Sequence, residues 1–280
     1  MKKVIFLLFL LFNITISSSQ EEKSLEDQFS DMGVSVSPSS IYLNITPGKK
    51  ETREITVKNL TKKTYKFNIG FSDFIMNEEG KRIQPDRQNC DYCLSKYITI
   101  NPQLFEIKPG EEIKIKLNIA IPDSEHAYKA MWTIITIDQY VDRPKIDIEP
   151  KTDRLAFGII PTFGFGVYVY QNPPNVKANK IEIIKFDFKQ EKDLSFFELE
   201  VKNAGDGIAY CNSYISITNM TTGEQQRVAY KKFTLLPNFY RKIKLQVPEN
   251  LMPGKYTAVA VVDFGDAHEM IAAETTIIVK

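Results

Sequence analysis

The sequence is poor in the residues that most often carry chemistry: three cysteines, two histidines and one tryptophan in 280 residues. Three cysteines cannot staple a disulfide-built scaffold of this length. The two histidines, His126 and His268, lie far apart and lack the companions that a four-ligand metal site needs. An excess of charge is missing too. The 36 Lys and Arg against 35 Asp and Glu leave a net charge of +1, and the signs alternate along the chain. No basic stripe invites nucleic acid. Phosphate-cradling glycine loops, HExxH helices, nucleophile elbows and DxDxDG loops are all absent. Beyond the N-terminus no apolar stretch approaches a membrane span. These absences predict a protein that is not an enzyme and has no cofactor, no metal, no nucleic-acid partner and no integral membrane span.

What is present begins with an export pattern. Lys2 and Lys3 precede an apolar run over 4–12, followed by Ser17, Ser18 and Ser19. That is the charge, apolar core and small-residue order of a signal peptide, and the core is too short to remain as an anchor. The reading is residues 1–19 as signal peptide and the acidic, apolar-poor residues 20–32 as a mobile segment. The expected location is the periplasm or the cell surface.

From Gly33 onward, apolar and polar residues alternate with period two, the signature of half-buried strands, and helical periodicity is scarce. The clearest runs fall at 34–36, 41–45, 54–57, 65–71, 97–100, 113–119 and 129–138, then 155–170. A second set follows at 180 onward, 195–202, 209–218, 227–230, 241–247, 255–264 and 274–279. Turn chemistry separates them, including Pro47-Gly48, Pro109-Gly110, Thr222-Gly223 and Pro253-Gly254. Short strands at this spacing, with no helices between them, predict an all-β chain of two tandem immunoglobulin-like β-sandwiches. The repeated Pro-Gly turn before an alternating strand suggests duplication of one architecture. Pro173-Pro174 marks the connection, because proline cannot donate to a ladder and stiffens a link. The domains are therefore placed at 33–172 and 173–280.

Few residues qualify as sites. Cys90-Asp91-Tyr92-Cys93 has the CxxC spacing, but no βαβ setting for a redox pair and no further ligands for zinc, so a local disulfide or two loop thiols remain. Cys211, within an alternating run, reads as a small buried side chain. His268, near Asp263, Asp266 and Glu269, reads as a solvated loop histidine, since neither a positioned nucleophile nor a ligand-loop spacing accompanies it. The most informative segment is 155–170. It places Phe163, Phe165, Val167 and Val169 on one strand face and Gly164, Gly166, Tyr168 and Tyr170 on the other. Such a strand closes a core on one face and, at a sheet edge, is also a template for another chain's strand.

The order of motifs resembles the PapD-like periplasmic chaperone superfamily, whose members are two Ig-like domains set at an angle. Val34-Ser35-Val36-Ser37-Pro38 with Ile41-Tyr42-Leu43 looks like its opening strand, and residues 54–59, ending in Asn59, like its strand that ends in asparagine. Ile98 to Pro102 and Phe105 to Gly110 resemble its proline-containing turn, following strand and Pro-Gly turn, and residues 163–170 its long G strand. The resemblance implies a chaperone that holds a partner by strand pairing. Pilus chaperones of this superfamily anchor a subunit's terminal carboxylate with an Arg and a Lys. The matching stretches here, Ser39-Ser40-Ile41 and Thr162-Phe163-Gly164, contain neither. The order is also similar to exported Bacteroidetes proteins with a WxL-interacting or DUF916-like first domain, which bind cell-surface partners.

Together these readings predict a non-catalytic chaperone or scaffold that binds a secreted or cell-surface protein of the envelope. Its contact residues would be Phe163, Gly164, Phe165, Gly166, Tyr168 and Tyr170. The alternative is a stable structural subunit of an envelope secretion, adhesion or gliding complex, using side-chain surfaces such as Tyr168, Tyr170 and Trp132.

Overall fold

A computed structural model describes residues 33–84, 90–142, 160–176, 180–191, 194–247, 251–264 and 269–279. The signal-peptide segment, residues 155–159, Asp266 and His268 lie outside the described residues.

The alternation seen in the sequence becomes strand burial directly. In the strand Glu112–Ala120 the isoleucines and Leu117 point into a core, while the lysines between them stay in water. Two sheets enclose this core. One contains β1 (Val34–Ser37), β3 (Lys50–Asn59), β7 (Ile98–Asn101) and β9 (Glu112–Ala120), in the order β1-β3-β9-β7. The other contains β2 (Ser40–Leu43), β4 (Tyr65–Ser72), β8 (Leu104–Ile107), β10 (Met131–Tyr140) and β11 (Gly164–Gln171), in the order β2-β11-β10-β4-β8. Side chains from both sheets, among them Ile55, Phe67, Ile115, Ile135 and Val169, form one buried cluster. The chain crosses from the first sheet to the second at Pro38, between β1 and β2, where a residue without an N–H ends one ladder. A small two-stranded arm, β5 (Ile75–Met76) with β6 (Arg82–Ile83), projects from the end of β4.

The second sandwich follows the same plan. β12 (Ile181–Glu191), β13 (Leu194–Asn203) and β16 (Tyr240–Gln246) make one sheet. β14 (Ala209–Asn219), β15 (Gln225–Leu235), β17 (Gly254–Asp263) and β18 (Met270–Val279) make the other, in the order β15-β14-β17-β18. Phe197, Leu199, Ile215, Ala258 and Val262 lie at the centre of its core. The chain is all-β, two tandem Ig-like sandwiches.

The duplication reaches individual atoms. Val57-Lys58-Asn59 ends β3 and Val201-Lys202-Asn203 ends β13, and both asparagines are fully buried. Asn59 Nδ2 donates to the carbonyls of Lys63 (2.7 Å) and Ile107 (3.2 Å), and its Oδ1 accepts the Thr61 N–H at 3.0 Å. Asn203 Nδ2 donates to the carbonyls of Gly207 (2.8 Å) and Leu235 (3.0 Å), and its Oδ1 accepts the Gly205 N–H at 2.9 Å. Each asparagine's own carbonyl accepts from a turn residue at 2.9 Å, Gly110 in one case and Asn238 in the other. Those two residues follow Pro109 and Pro237 and have φ of 75° and 63°. They occupy the third position of type II turns closed by Glu111 N–H to Lys108 O and Phe239 N–H to Leu236 O, which explains the positive φ. Asparagine tolerates that conformation where most residues do not.

The sandwiches meet along an aromatic seam. Phe74, Ala130, Trp132, Ile134 and Tyr170 of the first pack with Ile208 and Leu236 of the second. Burial on both faces of β10 follows from this: Met131, Ile135 and Ile137 enter the core, while Trp132 and Ile134 enter the seam. Two further ties cross it. Asn172 Nδ2 donates to Ile208 O (3.0 Å) and its Oδ1 accepts Ile208 N–H (2.9 Å), a side chain imitating one rung of a ladder. The β5-β6 arm lays its turn on β16. Lys242 N–H donates to Glu78 O (2.7 Å), Tyr240 Oη donates to Glu78 Oε2 (2.9 Å), and Lys242 Nζ pairs with the same oxygen at 2.7 Å. Glycine is required at position 80, where φ is 76° and the Arg241 guanidinium occupies the place of a Cβ.

Candidate functional site

The segment singled out in the sequence becomes β11, and its two halves have different surroundings. Along its whole length it pairs with β10, from Gly164↔Asp138 to Gln171↔Met131. On its other side, β2 runs parallel to it only from Tyr168↔Ser40 to Gln171↔Leu43. Among the described residues, no strand flanks that outer side at 164–167. Tyr168 N–H donates to Ser39 O (3.1 Å) and Asn172 N–H to Leu43 O (3.0 Å), so even-numbered residues direct their backbone groups toward the β2 side. By the alternation of a strand, the N–H and C=O groups of Gly164 and Gly166 point to the open side.

The side chains divide as the sequence pattern indicates. Val167 and Val169 are buried in the core and Phe165 packs on its rim. Phe163 lies next to Tyr65, Phe67 and Phe165, with ring centroids 5.3, 5.8 and 5.8 Å away, yet remains 39% exposed. Ile160, just before it, is 48% exposed. The open edge is therefore bordered on its inner face by apolar rings that still see water.

On the outer face the two glycines are not a bare platform. Asp138 Oδ1 lies where a Cβ on Gly164 would be, and Ile134 Cγ2 lies 3.2 Å from that position on Gly166. Glycine lets these neighbours on β10 lean across the strand. Tyr168 and Tyr170 stack at 6.0 Å, and Tyr170 is 4% exposed within the seam. Tyr42 stacks on Tyr170 at 5.8 Å and meets Tyr210 of the second sandwich edge-on at 4.9 Å. Burial pushes the Tyr170 and Tyr210 phenols well above their ordinary range. Of the six proposed contact residues, the structure brings Phe163, Gly164, Phe165 and Gly166 together at the open edge, and places Tyr168 and Tyr170 at the junction of the two sandwiches.

Cys90 and Cys93 are joined by a disulfide. The loop they close holds Tyr92 face to face with Trp132, 4.5 Å between centroids, and Trp132 N–H donates to Tyr92 O at 2.9 Å. Trp132 is 2% exposed and its indole Nε1 donates to Phe74 O (2.7 Å), which fixes it in the seam. Beside this stack, Tyr92, Lys129, Trp132, Asp206, Asn238 and Phe239 line an open cleft of about 910 Å3 between the sandwiches. A smaller hollow of about 440 Å3 adjoins the disulfide. On its wall, Asp73 Oδ2 accepts from Ser95 Oγ (2.5 Å), while Asp73 Oδ1 is buried without a partner among the described residues. Cys211 is buried, and desolvation pushes its thiol up to about 12, so it stays a thiol at neutral pH. His126 is exposed with Asp91 Oδ1 at 3.8 Å. Among the described residues no three His, Cys, Asp or Glu side chains gather as metal ligands, and no helix is long and apolar enough to cross a membrane.

No family model matches the chain, and no curated protein matches it. Solved structures do match over most of both chains. The chaperone–tip adhesin complex of CFA/I fimbriae biogenesis is 12% identical, covering 86% of this chain and 98% of that one, with a TM-score of 0.46. The class 5 fimbriae chaperone CfaA is 13% identical, with 89% and 100% covered and a TM-score of 0.43. The YadV chaperone is 11% identical, with 88% and 100% covered and a TM-score of 0.42.

Proposed function

We propose that this is an exported, non-catalytic chaperone or scaffold that holds an extended segment of a secreted or cell-surface protein by strand addition to the first half of β11. The observation that carries the reading is the edge at 164–167: Gly164 and Gly166 direct unmatched backbone donors and acceptors outward, next to the partly exposed Phe163. Backbone groups at an edge give affinity to any extended chain, and alternate side chains give selectivity. A partner strand in this position lies in line with β2 and places its inward side chains against Phe163 and Phe165, extending a core that is open at that end.

The reading of a permanent subunit attached through aromatic side chains is less favoured, because Trp132 and Tyr170 are spent inside the seam. Gly166→Pro removes an outward N–H that the ladder to β10 does not use, and leaves the space over Gly164 clear, and Phe163→Lys puts a charge on the apolar border. Both variants are expected to keep the circular dichroism spectrum of the parent and to lose the envelope proteins that the parent retains in pull-downs. Recovery of the same proteins by both folded variants would sink the strand-edge reading.

A further inference from the structure

The outer face of the same edge carries a carboxylate that has no partner among the described residues. Asp138 faces Gly164 in the β10-β11 ladder, and its Oδ1 sits over the Gly164 Cα where a side chain would otherwise stand. It is exposed and makes no hydrogen bond or ion pair among the described residues. Lys66, two residues from Asp138's ladder partner Asn68 on the neighbouring strand, is paired with Asp142 at 3.2 Å. Gly164 thus acts as a gap through which the Asp138 charge reaches the open side of β11.

A strand added at that edge puts one side chain directly opposite Gly164, on the outer face. Paired Cα atoms across a ladder stand about 5 Å apart. With no Cβ on Gly164 to intervene, a lysine or arginine there meets the Asp138 carboxylate, whereas a glutamate or aspartate is repelled by it. Resting on the strand-addition reading, we infer that Asp138 selects the partner: the segment held by β11 carries a basic residue opposite Gly164, and Asp138 is the specificity-determining side chain. The contact lies at a sheet surface, so it sets preference among strands rather than supplying the bulk of the affinity, and it weakens as salt rises.

Two short fluorescent peptides test this. Both alternate valine with a charged residue, the charged positions being all lysine in one and all glutamate in the other. Anisotropy titrations with the purified protein are expected to favour the lysine peptide by about fivefold at low salt. The preference should vanish in Asp138→Asn and invert in Asp138→Lys, with the fluorescence of Trp132 unchanged as the folding control. Equal binding of both peptides by the parent, or a lysine preference that survives Asp138→Asn, overturns the role of Asp138 while leaving strand addition standing. Failure of both peptides to bind overturns strand addition itself, and this inference with it.

Discussion

Asn203 satisfies two buried carbonyls and one buried backbone N–H from a single fully buried side chain, and Asn59 makes the equivalent bonds to the buried Ile107 carbonyl and the partly buried Lys63 carbonyl and Thr61 N–H, so replacement by alanine removes three hydrogen bonds at each position. Each unsatisfied buried group costs on the order of 1–3 kcal/mol. Asn59→Ala and Asn203→Ala are expected to lower the urea midpoint by the equivalent of at least about 2 kcal/mol each. Because they sit in different sandwiches, their effects should add in the double variant. A surface change such as Lys114→Ala should leave the midpoint within about 0.5 kcal/mol. Glu78 is a second residue with a defined prediction. Its pairing with Lys242 and the hydrogen bond from Tyr240 hold its carboxyl below the usual 4.5. A carboxyl lowered on folding contributes fully above its ordinary value and less as pH falls through the lowered one. Acidification should therefore weaken the hold of the β5-β6 arm on β16, the backbone bond from Lys242 N–H to Glu78 O remaining. Trp132 reads the event, because the arm follows Phe74, whose carbonyl holds the indole. Glu78→Gln should show the acid-form fluorescence at neutral pH and no acid transition of its own. An unchanged transition in that variant would show that the arm does not titrate through Glu78.

At the scale of elements, β10 and β11 show how far pattern reading goes. Apolar-polar patterning located both strands and assigned the faces of β11, since side-chain direction along a strand is a local property of the chain. It did not show that β11 is paired on both sides in one half and open in the other. That depends on where β2 ends up after the chain crosses sheets at Pro38. Nor did it show that Asp138 covers Gly164, because the two residues are 26 positions apart and meet only through register. The second asparagine box was legible and easily overlooked: the triplet Val-Lys-Asn occurs at 57–59 and again at 201–203, each followed downstream by a proline and a residue suited to positive φ.

For the whole molecule, the relation between the two sandwiches is set by the seam, the Asn172 rung and the β5-β6 arm. Trp132, the sole tryptophan, lies within the seam and is clamped by Tyr92 from the disulfide loop. Reduction of Cys90–Cys93, or the Cys90→Ser/Cys93→Ser protein, should free Tyr92 from the indole. Red-shifted emission and a lower Tm are then expected, with far-ultraviolet dichroism unchanged because neither core includes the loop. An unshifted spectrum in the fully reduced protein would mean that the seam holds Tyr92 without the disulfide.

The sequence by itself determined the all-β class, the two sandwiches and the strand faces, because period-two burial and turn chemistry act over a few residues. The tertiary structure decided what the strands are available for. Edge exposure, the use of Trp132 and Tyr170 inside the seam, and the reach of Asp138 across Gly164 all depend on which distant segments lie side by side. Long-range pairing is a property of the packed whole, and no local pattern encodes it.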